Sequence, residues 1–293
     1  MHKHALLGFL ALMLVAGCED DNDGVVYVAN TLTPNTACPS NTSALRLIAF
    51  AGRTWEVRRS ATPAQAGANC FASDARSAWV DSQGRLHLRI TRRDDIWTCA
   101  EIFSADGYGY GTYRFRVVSA AGDLDPNVVL GLFTWDDGAP ADGKIHEIDI
   151  EFTPWSRVWG ENLHYSVQPV MGPDTYNGQY DERTEGLFLP PDADISLHEF
   201  VWMSTYVDFT SYIGPDATGE PLHSWRFTDA NPVRRSNNTT LATPVLIPTP
   251  TPQTSVRINL WLNDGDSDGF GDAPSDGREV EVILDQFEFT PAG

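Results

Sequence analysis

His146-Glu147-Ile148-Asp149-Ile150-Glu151-Phe152 is the stretch on which the reading of this 293-residue chain turns. Acidic and apolar residues alternate strictly from Glu147 to Phe152. In a β-strand the side-chain period is two, so Glu147, Asp149 and Glu151 project from one face and Ile148, Ile150 and Phe152 from the other. The apolar face is core. The acidic face is open to water or floors a site. Acids are depleted in strands and like charges on one face repel, so three carboxylates about 7 Å apart are not there for stability. The plain alternative is a solvated edge strand in a chain of net charge −20.

Outward from this strand, helix signals are scarce and short strand signals recur between Gly, Asp, Asn and Pro. Residues 44–50, 53–57, 98–104, 108–117, 162–167, 198–202, 206–213, 222–227, 256–262 and 280–289 read as strands, and residues 78–91 as a hairpin about Ser82-Gln83-Gly84. Val128 to Trp135 is nearly continuously apolar, which suits a strand buried on both faces. The prolines of residues 243–252 make that segment a surface loop or sheet edge. The pattern predicts one all-β domain over residues 45–293, a sandwich or barrel.

The N-terminus reads differently. Ala5 to Leu14 is an apolar run too short to span a bilayer, and Val15-Ala16-Gly17-Cys18 resembles a bacterial lipobox. That resemblance implies a signal peptide over residues 1–17, lipid on Cys18 and an exported protein anchored in the membrane at the cell envelope. An ordinary secretory signal is the alternative. Residues 18–44, acidic and then rich in Thr, Pro, Asn and Ser, read as a tether. Strong acidity argues against nucleic acid and favours a neutral polymer or a cation as partner; no protein partner is indicated. With Cys18 lipidated, Cys38, Cys70 and Cys99 remain. Cys70 and Cys99 both lie in the folded region and are the expected disulfide, with Cys38 left over in the tether. No Cys/His cluster has zinc spacing.

Glu147-Ile148-Asp149-Ile150-Glu151-Phe152 resembles the catalytic motif of glycoside hydrolase family 16 in its ExDxE, lichenase-like form. Tyr108-Gly109-Tyr110-Gly111-Thr112-Tyr113 is similar to the lichenase YGYGxYE segment. Asn69-Cys70 and Thr98-Cys99-Ala100-Glu101 are similar to its two half-cystine segments, and Asn259-Leu260-Trp261 to its NLW strand. The likeness covers about residues 50–289. It implies a β-jelly roll of two curved antiparallel sheets, the acidic strand central in the concave one. It further implies a disulfide between Cys70 and Cys99, Glu147 as nucleophile, Glu151 as general acid/base and Asp149 tuning the pair. Trp261 would floor the cleft and Glu101 would hydrogen-bond sugar hydroxyls.

A retaining glycosidase needs two carboxyl groups about 5–5.5 Å apart. Two Glu at i and i+4 have Cα atoms about 13 Å apart, and their side chains can lean together over a shorter Asp. Trp155 and Trp159 could line one end of the cleft or belong to the core. His164 lies near polar cleft residues by the resemblance, though a lone His in a strand is more often structural.

Two positions depart from the lichenase pattern. Lys144-Ile145-His146 replaces Trp-Asp, so a stacking residue is missing at Ile145, and Phe103 stands where lichenases carry Arg. Asp264-Gly265-Asp266-Ser267-Asp268-Gly269, with Asp272, resembles the start of a calcium loop, though a flexible acidic loop is the simpler reading. By the resemblance, Asp285 would help to hold a structural calcium. Catalysis itself needs no cofactor. The expectation is a retaining endo-β-glycosidase acting on internal β-1,3 and/or β-1,4 linkages of a neutral polysaccharide. The alternatives are a non-catalytic glycan-binding jelly roll and a transglycosylase.

Overall fold

Alternating sequence becomes strand almost everywhere in the computed structural model, which describes residues 32–33, 36–39, 45–139, 146–157, 159–168, 184–228 and 247–293. Sixteen strands and one 3-10 turn (Ala121–Asp123) make up the regular structure of these residues. Numbered in chain order, one sheet runs β11 (Thr184–Leu187), β10 (Leu163–Val167), β9 (Glu147–Phe152), β8 (Val128–Asp136), β15 (Thr254–Leu262) and β6 (Ile96–Ser104). On β6 follow β2 (Arg53–Val57) and then β1 (Leu47–Phe50). The other sheet runs β5 (Leu86–Arg93), β16 (Val280–Pro291), β7 (Gly111–Val117), β12 (Ser196–Trp202), β13 (Tyr206–Ile213) and β14 (His223–Thr228), with β4 (Ala78–Val80) on β5. The β5–β6 hairpin joins the two sheets through Thr91↔Thr98 and Arg93↔Ile96.

The apolar faces of the two sheets meet. Ile148, Ile150 and Phe152 of β9 are fully buried, and each stabilises by roughly 2–3 kcal/mol through apolar burial. Phe152 meets the His198 ring edge-on at 4.7 Å, and Tyr165 stacks on Phe209 at 4.9 Å. At the other end Trp55 meets Phe287 at 5.3 Å. His198 is buried, and its imidazole bonds Ser211 Oγ at 2.7 Å and Ser196 Oγ at 2.8 Å. Burial holds it neutral, with its pKa lowered to about 3, so it is a satisfied core histidine. This is an all-β jelly-roll sandwich, as the sequence predicts.

The disulfide is not the expected one. Cys70 is bonded to Cys38, while Cys99 is a buried free thiol. Strand alternation explains this. In the short β3 (Cys70–Phe71), Phe71 pairs with Cys99 and joins the main core. Cys70 points the other way, into a small cluster with Leu32 and Cys38. Cys38, placed in the tether by the sequence, is thus bound to the domain, and its amide donates to Ala61 O at 3.0 Å. Closing the 32-residue separation stabilises the fold by about 4 kcal/mol in the chain-entropy picture. The signal peptide, Cys18 and the tether up to residue 31 lie outside the described residues.

Candidate active site

Directly opposed residues in neighbouring strands share a face, so the pairing register lays out the acidic face row by row. The first row holds Gln168, Glu147, Trp135 and Ser255. The second holds Thr184, Ser166, Asp149, Phe133, Arg257 and Phe103. The third holds Gly186, His164, Glu151, Gly131, Asn259 and Glu101. One strand therefore carries all three acids, with two strands to one side of it and β8, β15, β6, β2 and β1 to the other.

The three carboxyl groups are packed into the face rather than spread over solvent. Asp149 is buried and Glu151 is only 8% exposed. Burial, then the charge of Asp149, raises the pKa of both Glu147 and Glu151 well above the ordinary value. Asp149 is also raised by burial, and hydrogen bonds from Gln168 and Glu147 oppose that rise. Gln168 Nε2 donates to Asp149 Oδ2 at 2.9 Å. Asp149 thus has an amide on one side and the nucleophile candidate on the other. Carboxyls that resist ionisation can hold a proton near neutrality, which is what a general acid requires.

The residues around the trio differ from expectation in several places. Glu101 is on the predicted face but only 1% exposed. Arg58 Nη1 binds its Oε2 at 2.5 Å and Arg257 Nη1 its Oε1 at 3.2 Å. Its carboxylate is committed to two guanidinium groups and is not free for sugar hydroxyls. Trp261 is also on this side, but buried, with Trp155 laid against it at 6.3 Å. Little of its ring is open to stack on a sugar. Trp155 in turn lies 5.9 Å from His164.

His164 faces Glu151 across the strand pair, and its Nε2–H donates to Thr153 O at 3.0 Å. Burial lowers its pKa to about 4, so it is neutral at ordinary pH. Trp159 is 62% exposed and, with Phe188, Arg157 and Asp123, lines a groove of about 400 Å³ that reaches Thr153, two residues beyond Glu151. Ile145 lies outside the described residues.

Trp135 is the aromatic that sequence reading missed. It is the Cα partner of Glu147 and 36% exposed, and its Nε1–H donates to Asp137 Oδ1 at 3.0 Å. The apolar run Val128 to Trp135 concealed it, because the run looks buried on both faces. Only its parity with Gly131 and Phe133 marks the exposed side. Asn259 was also missed as an individual. Its Oδ1 is buried with no hydrogen-bond partner among the described residues and sits against Gly131, where any Cβ would collide with it.

The calcium expectations separate. Both oxygens of Asp285 accept hydrogen bonds from Arg116, at 2.7 and 2.9 Å. Asp264, Asp266 and Asp268 do converge, each offering one oxygen within 4.8 Å of the others. Buried Asp272 accepts Gly265 N–H at 2.9 Å, and its pKa is raised to about 6, chiefly by burial.

A Bacillus licheniformis β-glucanase superposes with a TM-score of 0.52 at 16% identity, covering 87% of this chain and 96% of its own. A non-specific endo-β-1,3(4)-glucanase of family GH16 gives 0.56 at 12% identity, covering 92% and 96%. An immunostimulatory antigen and pseudo β-1,3-glucanase of Mycobacterium tuberculosis gives 0.53 at 17%, covering 92% and 100%. This jelly roll is shared with β-glucanases. No protein-family model and no curated protein matches the sequence.

Proposed function

We propose that this chain is a retaining endo-β-glycosidase, similar to glycoside hydrolase family 16, that cuts internal β-1,3 and/or β-1,4 linkages of a neutral β-glucan. The observation that carries the reading is the Glu147–Asp149–Glu151 trio on one face of β9, half-buried at Glu147 and buried at Asp149 and Glu151, its carboxyls driven towards their protonated forms. In this reading Glu147 attacks the anomeric carbon. Glu151 protonates the leaving oxygen and then activates the water that releases the sugar. Asp149, fixed by Gln168, shares the proton balance with Glu147. The likeness of fold to glucanases supports the substrate class.

A panel of polysaccharides, assayed for new reducing ends with wild type and Glu147→Ala, tests it. Release of oligosaccharides by the wild type alone is expected. Glu147→Ala retaining substantial activity would refute the assignment.

One observation favours a second reading, a glycan-binding jelly roll without hydrolysis: the closure of Glu101 by Arg58 and Arg257. In that case the panel would show retention of a polysaccharide with no Glu147-dependent product. The same proposal includes export and lipid attachment at Cys18. Cys18→Ser should abolish incorporation of radiolabelled palmitate and move the protein from the membrane to the soluble fraction.

A further inference from the structure

Two guanidinium groups stand on the face of the carboxyl trio among the described residues: Arg58, paired with Glu101 beyond β6, and Arg257, which is nearer to β9. Arg257 lies two strands from β9, in the row of Asp149, Phe133 and Phe103. Its side chain is 16% exposed and anchored on three sides. Nε donates to Ser255 Oγ at 3.2 Å, Nη1 to Glu101 Oε1 at 3.2 Å and Nη2 to Asp137 Oδ2 at 3.0 Å. The guanidinium carbon stands 5.3 Å from the Phe103 ring centre and 5.7 Å from that of Trp135. Trp135 is the cross-strand partner of Glu147, and Ser255 pairs with Trp135. The guanidinium is therefore pinned at the Glu147 end of the face.

Its charge is incompletely neutralised there. Glu101 is shared with Arg58, and Asp137 is 61% exposed, where solvent screens it. The other groups around Glu147 supply no comparable cation. Within β9 there are Asp149 and Glu151, with His146 before them. From β10 come Ser166, neutral His164 and, just beyond it, Gln168. From β8 come Trp135 and Asp136, the latter bound by Thr251 and Thr254. The charge of Arg257 favours the ionised form of Glu147, against burial and the two neighbouring acids.

We propose that Arg257 is a positioning residue for the reaction, its anchored guanidinium holding Glu147 as the carboxylate nucleophile while Glu151 keeps the proton. This rests on the nucleophile assignment above and adds a residue to it. The position two after Glu101, Arg in lichenases by the resemblance, is Phe103 here. The cation of this chain enters from the facing strand and packs over that Phe.

Two readouts separate this proposal from the one it rests on. The first is carboxyl 13C titration of protein labelled at Glu, with the Glu147 signal assigned by its loss in Glu147→Gln; this needs no substrate. The second is the pH profile of kcat/KM on the β-glucan of the panel that the wild type cuts. In Arg257→Met, which keeps the stem over Phe103, the Glu147 titration and the acid limb should both move up by about one unit. The rate on that limb should fall about tenfold, and Arg257→Lys should recover much of the shift. Arg58→Gln, which leaves Glu101 to Arg257 alone, should lower thermal stability and move the limb up by less than Arg257→Met does.

Asp137→Asn lies on the surface and guards against a folding failure of the Arg257 variants. It frees more of the Arg257 charge and should move both readouts down. Unmoved titration in Arg257→Met and Asp137→Asn overturns the role of Arg257. An active Glu147→Ala overturns the nucleophile assignment instead.

Discussion

Glu151 and Glu101 stand in one cross-strand row, separated by Gly131 and Asn259, and both are almost wholly buried. Their surroundings are opposite. Glu101 is clamped between Arg58 and Arg257. Glu151 has no ion-pair partner among the described residues, and burial and Asp149 push its proton affinity up. A buried carboxylate that is fully paired is a strut. One that is buried and unpaired is poised to exchange a proton. The difference divides this face into a side at β9 whose acids resist ionisation and a side at β6 whose acid is ion-paired.

The sharpest way to break the comparison is to exchange the consequences of losing each acid. Glu147→Ala should reduce kcat roughly 10⁴-fold or more with the fold retained, and added azide should restore turnover by filling the vacated space. Glu151→Gln should cost about 10²–10⁴-fold in kcat, read in the same reducing-end assay. Glu101→Gln should instead act on stability. Two guanidinium groups lose a buried partner, a cost of about 3–5 kcal/mol, or roughly 10 °C in melting temperature for a domain of this size. A Glu101→Gln protein with unchanged melting and a collapsed kcat would place Glu101 in the chemistry after all.

The same comparison has a pH signature. A carboxyl whose folded pKa is raised binds more protons folded than unfolded. Its contribution to stability is greatest below the unfolded value near 4 and is lost as pH rises through the folded value. Glu151→Gln should therefore melt higher than wild type at pH 7, with the gap closing towards pH 4. Calorimetry at several pH values reads this directly. The smallest effect belongs to the aromatic beside Glu147: Trp135→Ala should raise KM roughly 3–10-fold with kcat little changed, as loss of one stacking face would.

Local information sufficed for the acidic strand. The alternation of β9 is contained in six residues, and its two faces follow from the pleat alone. The jelly roll was similarly open to reading, since short strands and turn residues are local signals. The failures are all long-range. Arg58 and Arg257 reach Glu101 from positions 43 and 156 residues away, a convergence that only the sheet order produces. The disulfide was misassigned because Cys38 sits in a polar segment that looks like tether. Its burial comes from packing with Cys70 and Leu32. Trp135 was hidden because an apolar strand beside a cleft and one within a core have the same composition.

The strand that carries the acids is flanked on both sides, by β8 and by β10, and β8 is flanked in turn by β15. Its backbone amides therefore belong to the interior of a continuous ladder and should exchange with deuterated solvent only when the sheet as a whole opens. The three acids share the lifetime of the native state. On heating, activity should persist to the global transition and vanish with it, with no earlier inactivation from a local fraying of the site.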